Sequence, residues 1–418
     1  MYRILLCSDF ALPKLGGVER HIHVLGRALA MRGHTVHVLT ARRGLGMREA
    51  VRDGLHYHYV RLCTVRGGAS IPSFLVEFLC LWRLQREYAF DVIHCHQSYS
   101  MLSLLSAAFG TIRGIPVVYT DHSLSMGTAW YERLLTPIRK AFLLPVQASI
   151  YVSEACRENA LVERGIPRSK IVRVIGNPVV AIFPTLSGHS SPTQILFVQR
   201  MTERKGADLI PAIIRHLAMQ KQEYVIHLVG SPIPAGLNEL SDEKEGRVHV
   251  LTHGERPHAF VKTLLKACSV AVIPSRMEAF SIFLVEALQA GCVTVCTRVG
   301  GAAAVYESIS PILATRFLCE PQAELIADKV VEACVFDDRK LRLCAALKAR
   351  SLYAPDTIAA EVESVYREVL DQDHQLSLLQ ALKLILQRPI DIFIVRLWVI
   401  LQVSVWWLIL QVLDLISE

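Results

Sequence analysis

Two acids of one segment, PSRMEAFSIFLVEALQAG, form an E-x7-E pair, Glu278 and Glu286. A short apolar run at 270–273 predicts a strand whose following loop carries Glu278, and apolar periodicity from Phe283 predicts a helix carrying Glu286. Carboxylates in such places accept hydrogen bonds from sugar hydroxyls. The N–H groups of the first helical turn, around Phe280, Ser281 and Phe283, favour an anion between the two acids. Taken alone, the spacing also describes an exposed loop acid beside a helix-face acid. Arg200 and Lys205 flank Met201-Thr202-Glu203-Arg204 after another apolar run. Two cations on such a loop can clamp a diphosphate and stabilise it as a leaving group, and a solvated charge run is the plainer alternative.

His122, in YTDHSL, can hydrogen-bond a sugar hydroxyl or a reacting group, or serve structure alone. Gly16 and Gly17 lie between a predicted strand and a predicted helix, where glycine lets the backbone approach a ligand and the helix start favours an anion. His94 and His96 alternate onto one strand face, but with no evident third ligand they read as structural, and no metal is expected. Arg42, Arg43, Arg48, Arg52, Arg61 and Arg66 crowd one stretch against Glu49 and Asp53, a surface suited to anionic lipid or to solvent.

Elements must position these groups, and the chain alternates strand and helix patterns. A strand at 3–8, a glycine-bearing loop, a helix near 18–32 and a strand at 35–40 recur in the second half as a strand at 194–198, a Lys205-Gly206 loop, a helix near 208–219 and a strand at 225–229. Such alternation builds parallel sheets from βαβ units, so the expected class is α/β with two doubly wound domains. Runs at 91–94, 116–120 and 149–152 suit the first sheet, and runs at 270–273 and 292–296 suit the second. The Pro-, Ser- and Gly-rich stretch AIFPTLSGHSSP at 181–192 reads as a linker. The expected domains are 1–180, 193–372 with a return helix near 358–370, an amphipathic segment at 373–389 and a membrane segment at 390–416. Ligands bind such sheets at the carboxyl ends of strands, on the loops that carry the residues above. Neither G-x-G-x-x-G nor G-x-x-x-x-G-K-[ST] occurs.

Length and composition narrow the class further. The 418 residues exceed one ordinary core, and 52% apolar with 20% charged residues excludes a disordered chain. A net charge of +7 is mild for a nucleic-acid binder. Eleven cysteines without a C-x-x-C pair form neither a disulfide framework nor a zinc knuckle, and they read as small buried residues in a reducing compartment. Asn159, Asn177 and Asn238 lie in no glycosylation sequon, which fits a cytosolic face, and no signal peptide is read at the N-terminus. Residues 397–413 would span roughly 26 Å as a helix, close to a hydrocarbon core. Gln402 and Gln411 fall on nearly opposite sides, which favours spanning over lying flat. Lys383, Arg388 and Arg396 precede the span and predict a cytosolic bulk.

In this order, SDFALPKLGGVERHI, YTDHSL, VSEACREN, RKGADL, the E-x7-E segment and TRVGG resemble glycosyltransferase family four, of GT-B architecture. Agreement is closest with the branch of phosphatidylinositol N-acetylglucosaminyltransferase catalytic subunits, which pairs TDHSL, an EAF acidic motif and a C-terminal membrane segment. The resemblance implies two Rossmann-like domains facing a cleft. It implies transfer of N-acetylglucosamine from its UDP form to phosphatidylinositol, with retention and no metal or other cofactor, as the first step of glycosylphosphatidylinositol anchor synthesis. By the same resemblance, Gly16 and Gly17 lie near donor phosphates and acceptor, His122 beside the donor sugar, Arg200 and Lys205 on the diphosphate, Glu278 near the sugar ring, and Glu286 on the ribose. It further implies partner subunits and a place at the endoplasmic reticulum membrane, with the catalytic domains cytosolic. The competing readings are another lipid-directed retaining transferase, such as a phosphatidylinositol mannosyltransferase, and a non-catalytic sugar-nucleotide-binding scaffold. Two departures bear on donor preference: the family's I-P-N-x-V-D becomes Ile175-Gly176-Asn177-Pro178-Val179-Val180, and its G-x-G-P loop becomes Gly230-Ser231-Pro232.

Overall fold

The computed structural model describes residues 1–13, 16–42, 49–62, 74–125, 136, 139–185, 193–233 and 247–372. The chain forms two units, Met1–Pro178 joined by the chain from Pro355 onward, and Val179–Ala354. The expected amphipathic and membrane segments lie outside the described residues, and no described helix is long and apolar enough to cross a membrane.

The first unit begins with β1 (Arg3–Cys7), an apolar run whose side chains after Arg3 are all buried. Then come α1 (Gly17–Met31), β2 (Thr35–Arg42), β3 (Glu49–Arg52), β4 (Leu55–Arg61), α2 (Phe74–Tyr88), β5 (Val92–His96), α3 (Met101–Arg113), β6 (Val117–Asp121), β7 (Ala148–Tyr151) and β8 (Ile171–Val174). The strands order as β3-β4-β2-β1-β5-β6-β7-β8, parallel throughout except for the β3–β4 pair. Strands buried at every position, such as VIHCH and VVYTD, suit a parallel sheet covered on both faces. The β3–β4 hairpin was not anticipated, although Asp53-Gly54 carries its signal. Both residues take positive φ, 50° and 79°, as a tight two-residue hairpin turn requires. The final helix, Pro355–Leu370, completes this unit rather than the second. Its Tyr366 hydroxyl lies 2.6 Å from His94 Nδ1, and Arg32 after α1 binds Asp356 and Glu363 at 2.8 Å each.

The second unit contains β9 (Thr193–Val198), α4 (Ile210–Ala218), β10 (Tyr224–Val229), β11 (Val248–Gly254), α5 (His258–Ala267), β12 (Val270–Ile273), α6 (Ile282–Ala290), β13 (Val293–Thr297), α7 (Gly300–Ile309) and β14 (Leu318–Cys319). Its order, β11-β10-β9-β12-β13-β14, is all parallel and reverses direction between β9 and β12. That reversal is the topological switch point at which open α/β sheets bind ligands. Of the expected linker, residues 181–185 are described and anchor to this unit: Ile182 N–H donates to Gln289 Oε1 at 3.0 Å, and Thr185 N–H to the Ala290 carbonyl at 3.0 Å. Eight cysteines are buried, Cys80 is half-buried and Cys344 exposed, and these ten are all free thiols.

Candidate active site

In the second unit the loops after β9 and β12 interlock at the switch point. Gly206 makes this possible: its φ is +72°, and a Cβ there would lie 1.9 Å from the Pro274 carbonyl oxygen. The Arg204 carbonyl accepts from the N–H groups of Arg276 and Met277 at 3.0 and 3.2 Å. So held, Lys205 forms an ion pair with Glu278, whose carboxylate also accepts from the Ser275 hydroxyl at 3.3 Å. Arg200 opens the same loop and is exposed. Gly230, at φ +140°, lets the loop after β10 close against β9, since a Cβ there would lie 1.8 Å from the Gln199 carbonyl oxygen. The shortened Gly230-Ser231-Pro232 loop therefore keeps the one glycine that sterics demand.

Two of the expected donor-site residues shape the start of α6. Ser281 holds φ at +70°, a strained region for a residue with a Cβ, and caps the helix by accepting from Leu284 N–H at 3.3 Å. Such strain concentrates at functional sites. The Phe280 ring is buried edge-to-face on Tyr353, centroids 5.2 Å apart, which leaves its backbone as the part able to meet a ligand. Glu286 is buried one turn into α6, with Oε1 2.7 Å from His258 Nε2 on α5. The two acids are thus each held by a different cation-capable group. The backbone carbonyl of Glu278 also accepts from Gly301 N–H at 2.8 Å, which ties TRVGG to the acidic loop.

In the first unit Gly16 precedes α1 in extended backbone and Gly17 opens the helix, both exposed. A Cβ on Gly16 would lie 2.2 Å from the Glu19 carboxylate, which is buried in the same first turn. His122 follows β6 and is partly buried. Its loop is clamped by Asp121 and Arg164, a fully buried pair at 2.6 Å, with Arg164 also donating to the Ser98 hydroxyl at 2.8 Å and the Ser123 carbonyl at 2.9 Å. Asn159, from the VSEACREN segment, exchanges two hydrogen bonds with the backbone of Ser125, at 2.8 and 3.0 Å.

Around His122 the fold gathers further imidazoles. Nε2 of His122 lies 3.2 Å from Nδ1 of His96, and the His21 ring of α1 stands edge-on at 4.5 Å between centroids. His21 Nδ1 is 2.8 Å from the Asn177 side-chain oxygen. Burial pushes the His122 ring down to about 3, aided by the neighbouring His94 and opposed by Asn177, and it lowers His21 and His96 as well. These rings are neutral at pH 7, so each can offer a ligand a hydrogen bond rather than a positive charge. His94 has both nitrogens engaged, by Tyr366 and by the Thr120 hydroxyl at 2.7 Å.

Of the arginines expected to meet lipid, Arg43 and Arg48 lie outside the described residues, Arg42 ends β2, and Arg52 is exposed at the end of β3. Sequence reading missed Arg164, Asn159, His21 and His258 as site residues. Asn159 and His21 stand inside motifs that carry the resemblance, VSEACREN and GGVERHI, whereas Arg164 and His258 lie outside every such motif and reach their partners only through the fold.

Residues 15–181 match Glycosyltransferase Family 4, and residues 184–345 match Glycosyl transferases group 1. Sucrose-phosphate synthase from Thermosynechococcus elongatus has the same fold, with a TM-score of 0.68 at 21% identity over 88% of this chain and 99% of that one. An Anabaena protein, HepE, solved with UDP and glucose, gives 0.64 at 18% over 88% and 100%. Two Rossmann-like units, one bearing a lysine–glutamate pair at its switch point, make this a GT-B glycosyltransferase. The Schizosaccharomyces pombe phosphatidylinositol N-acetylglucosaminyltransferase gpi3 subunit is 30% identical over 390 residues, 91% of this chain and 83% of the relative. A phosphatidylinositol N-acetylglucosaminyltransferase subunit from Arabidopsis thaliana is 30% identical over 75% of this chain and 71% of its own length. The chain belongs to this family of phosphatidylinositol N-acetylglucosaminyltransferase subunits.

Proposed function

We propose that the chain transfers N-acetylglucosamine from UDP-N-acetylglucosamine to phosphatidylinositol with retention of configuration, opening glycosylphosphatidylinositol anchor synthesis as one member of a complex. The observation that carries the reading is the Lys205–Glu278 pair at the switch point of β9 and β12, in a chain whose relatives bear that enzyme's name. With a nucleotide sugar bound, Lys205 moves from Glu278 to the diphosphate and, with Arg200, neutralises the charge that grows as the sugar bond breaks. Glu278 is released to accept from sugar hydroxyls, beside the amide groups that open α6. Glu286, oriented by His258, takes the ribose hydroxyls, and neutral His122 accepts from or donates to the sugar. The lipid acceptor approaches through the arginine-rich stretch around Arg42, Arg43, Arg48 and Arg52.

The apolar stretch 390–416 anchors the chain in the endoplasmic reticulum membrane with the two units on the cytosolic side, because Lys383, Arg388 and Arg396 precede it. Membranes carrying the chain with its partner subunits, supplied with labelled UDP-N-acetylglucosamine, should form labelled glucosaminyl lipid. Label accepted from a mannose donor instead, or full product from a Glu278→Ala chain, would refute the assignment. Protease added to sealed microsomes should digest both units, and their protection would reverse the proposed orientation.

A further inference from the structure

We propose that His21, His96 and His122 form a binding site for a divalent transition ion of the zinc class. One ring nitrogen from each lies within 4.8 Å of the others, although the residues come from α1, β5 and the loop after β6. Three imidazoles on one tetrahedral ion, with metal–nitrogen bonds of about 2 Å, have centroids about 5 Å apart. The centroids here are separated by 4.5 Å for His21–His122, 5.3 Å for His21–His96 and 5.5 Å for His96–His122. The ring centroids are therefore already spaced as for ligands of a common centre, and the nitrogens, now within 4.8 Å of one another, must close to about 3.3 Å to share a tetrahedral ion.

Two observations point to an ion rather than a self-contained hydrogen-bond cluster. Nε2 of His21 and Nε2 of His96 are buried without a hydrogen-bond partner, in side chains 3% and 0% exposed. A neutral imidazole leaves a nitrogen so placed only at an energetic penalty, which coordination would remove. The other nitrogen of His21 meets the Asn177 side-chain oxygen at 2.8 Å, which places the proton on Nδ1 and the lone pair on Nε2. Outer hydrogen bonds of this kind orient imidazole ligands in metal sites.

The donor set selects the ion. Three imidazoles without a carboxylate suit zinc, copper or nickel and disfavour magnesium and calcium. His94 is not a ligand, because Tyr366 and Thr120 hold both its nitrogens. Three protein ligands leave a fourth position open, and His122, the partly exposed member, borders it. An ion there occupies the lone pair through which His122 would meet a sugar hydroxyl, so loading would antagonise transfer. Ion binding itself does not depend on that reading of the chemistry.

The test uses the full chain in detergent, stripped with chelator, its affinity tag removed, and titrated with cobalt(II) and then zinc. One equivalent of cobalt should give the visible absorption of a tetrahedral nitrogen-ligated ion, displaced by zinc. His96→Gln should abolish that spectrum. Asn177→Ala, which leaves all three ligands in place, should weaken binding about tenfold or more. His227→Gln, in the other unit, should bind like the parent chain. Circular dichroism separates a lost ligand from a lost fold, and if His96→Gln misfolds the Asn177 variant carries the test. Absence of a stoichiometric tetrahedral spectrum, or binding that Asn177→Ala and a folded His96→Gln leave unchanged, overturns the proposal and returns the cluster to hydrogen bonding alone.

Discussion

In the first unit His122 stands on a loop fastened by a sealed ion pair, whereas in the second Lys205 and Glu278 pair with one another and reach solvent. The contrast in exposure is large: 1% and 0% for Arg164 and Asp121, against 24% and 12% for Lys205 and Glu278. A sealed pair contributes rigidity, because either partner alone would be a bare charge in a low dielectric. A pair open to water is worth little to stability and can be exchanged for a ligand's charge. The first unit thus presents a fixed, neutral surface and the second an adjustable, charged one, and the same kind of substitution should damage stability in one and turnover in the other.

The largest effect tests that division directly. Arg164→Ala should lower stability by about 3–5 kcal/mol, read from urea unfolding, because Asp121 keeps a buried charge without its partner. Lys205→Ala should change stability by about 1 kcal/mol or less. If the two variants unfold at equal denaturant, the contrast fails. Lys205→Ala should instead lower turnover by about 10²–10³, with a smaller rise in the apparent donor constant. A defect confined to that constant would make Lys205 a binding residue only.

A third prediction concerns acid. His37 on β2 is held down to about 3 by burial, with His58 and His56 of β4 adding to the effect. Tyr88 of α2 packs on the ring, and Glu49 of β3 lies beside His58 and pulls that ring the other way. Below the ordinary histidine range near 6.5 the unfolded chain binds a proton that the folded ring refuses. Stability should therefore fall as pH drops from about 6.5 toward 3, by roughly 1 kcal/mol per pH unit for this residue. Hydrogen exchange of β2 and β4 should quicken in that window before exchange in β9 and β12 does. The smallest effect is expected for His258→Ala, which removes one hydrogen bond from Glu286 and should weaken UDP binding roughly fivefold by calorimetry. No change would mean that Glu286 is oriented by the helix alone.

Much of the second unit was legible because its candidate site residues sit beside the strands that carry them. The strand at 270–273 and the helix carrying Glu286 follow from local apolar pattern, and Lys205-Gly206 follows directly on β9. What sequence could not supply there was the interlock, since nothing local says that Gly206 must pass under Pro274. The first unit was less legible because its site is assembled across long separations. His21 meets Asn177 across 156 positions, and Arg164 meets Asp121 across 43. Sequence shows no third ligand beside His94 and His96, and the fold brings His21 and His122 to His96. The β3–β4 hairpin carries its signal in Asp53-Gly54, whereas the helix expected near 208–219 begins as 3₁₀ turns on either side of the left-handed Gly206 and turns α-helical only at Ile210.

The hydrogen bond between His94 and Tyr366 joins positions 272 residues apart within one unit. A ribosome that has made all eight strands of the first sheet has not yet made the helix that fills its last face. The second unit, Val179–Ala354, is by then a continuous and complete piece of chain. During synthesis the unit begun first is therefore finished last, with His94 waiting for its partner while the whole of the second unit emerges. A stop codon between Val174 and Tyr366 would spare every strand of the first sheet and still leave Nδ1 of that histidine without its hydroxyl.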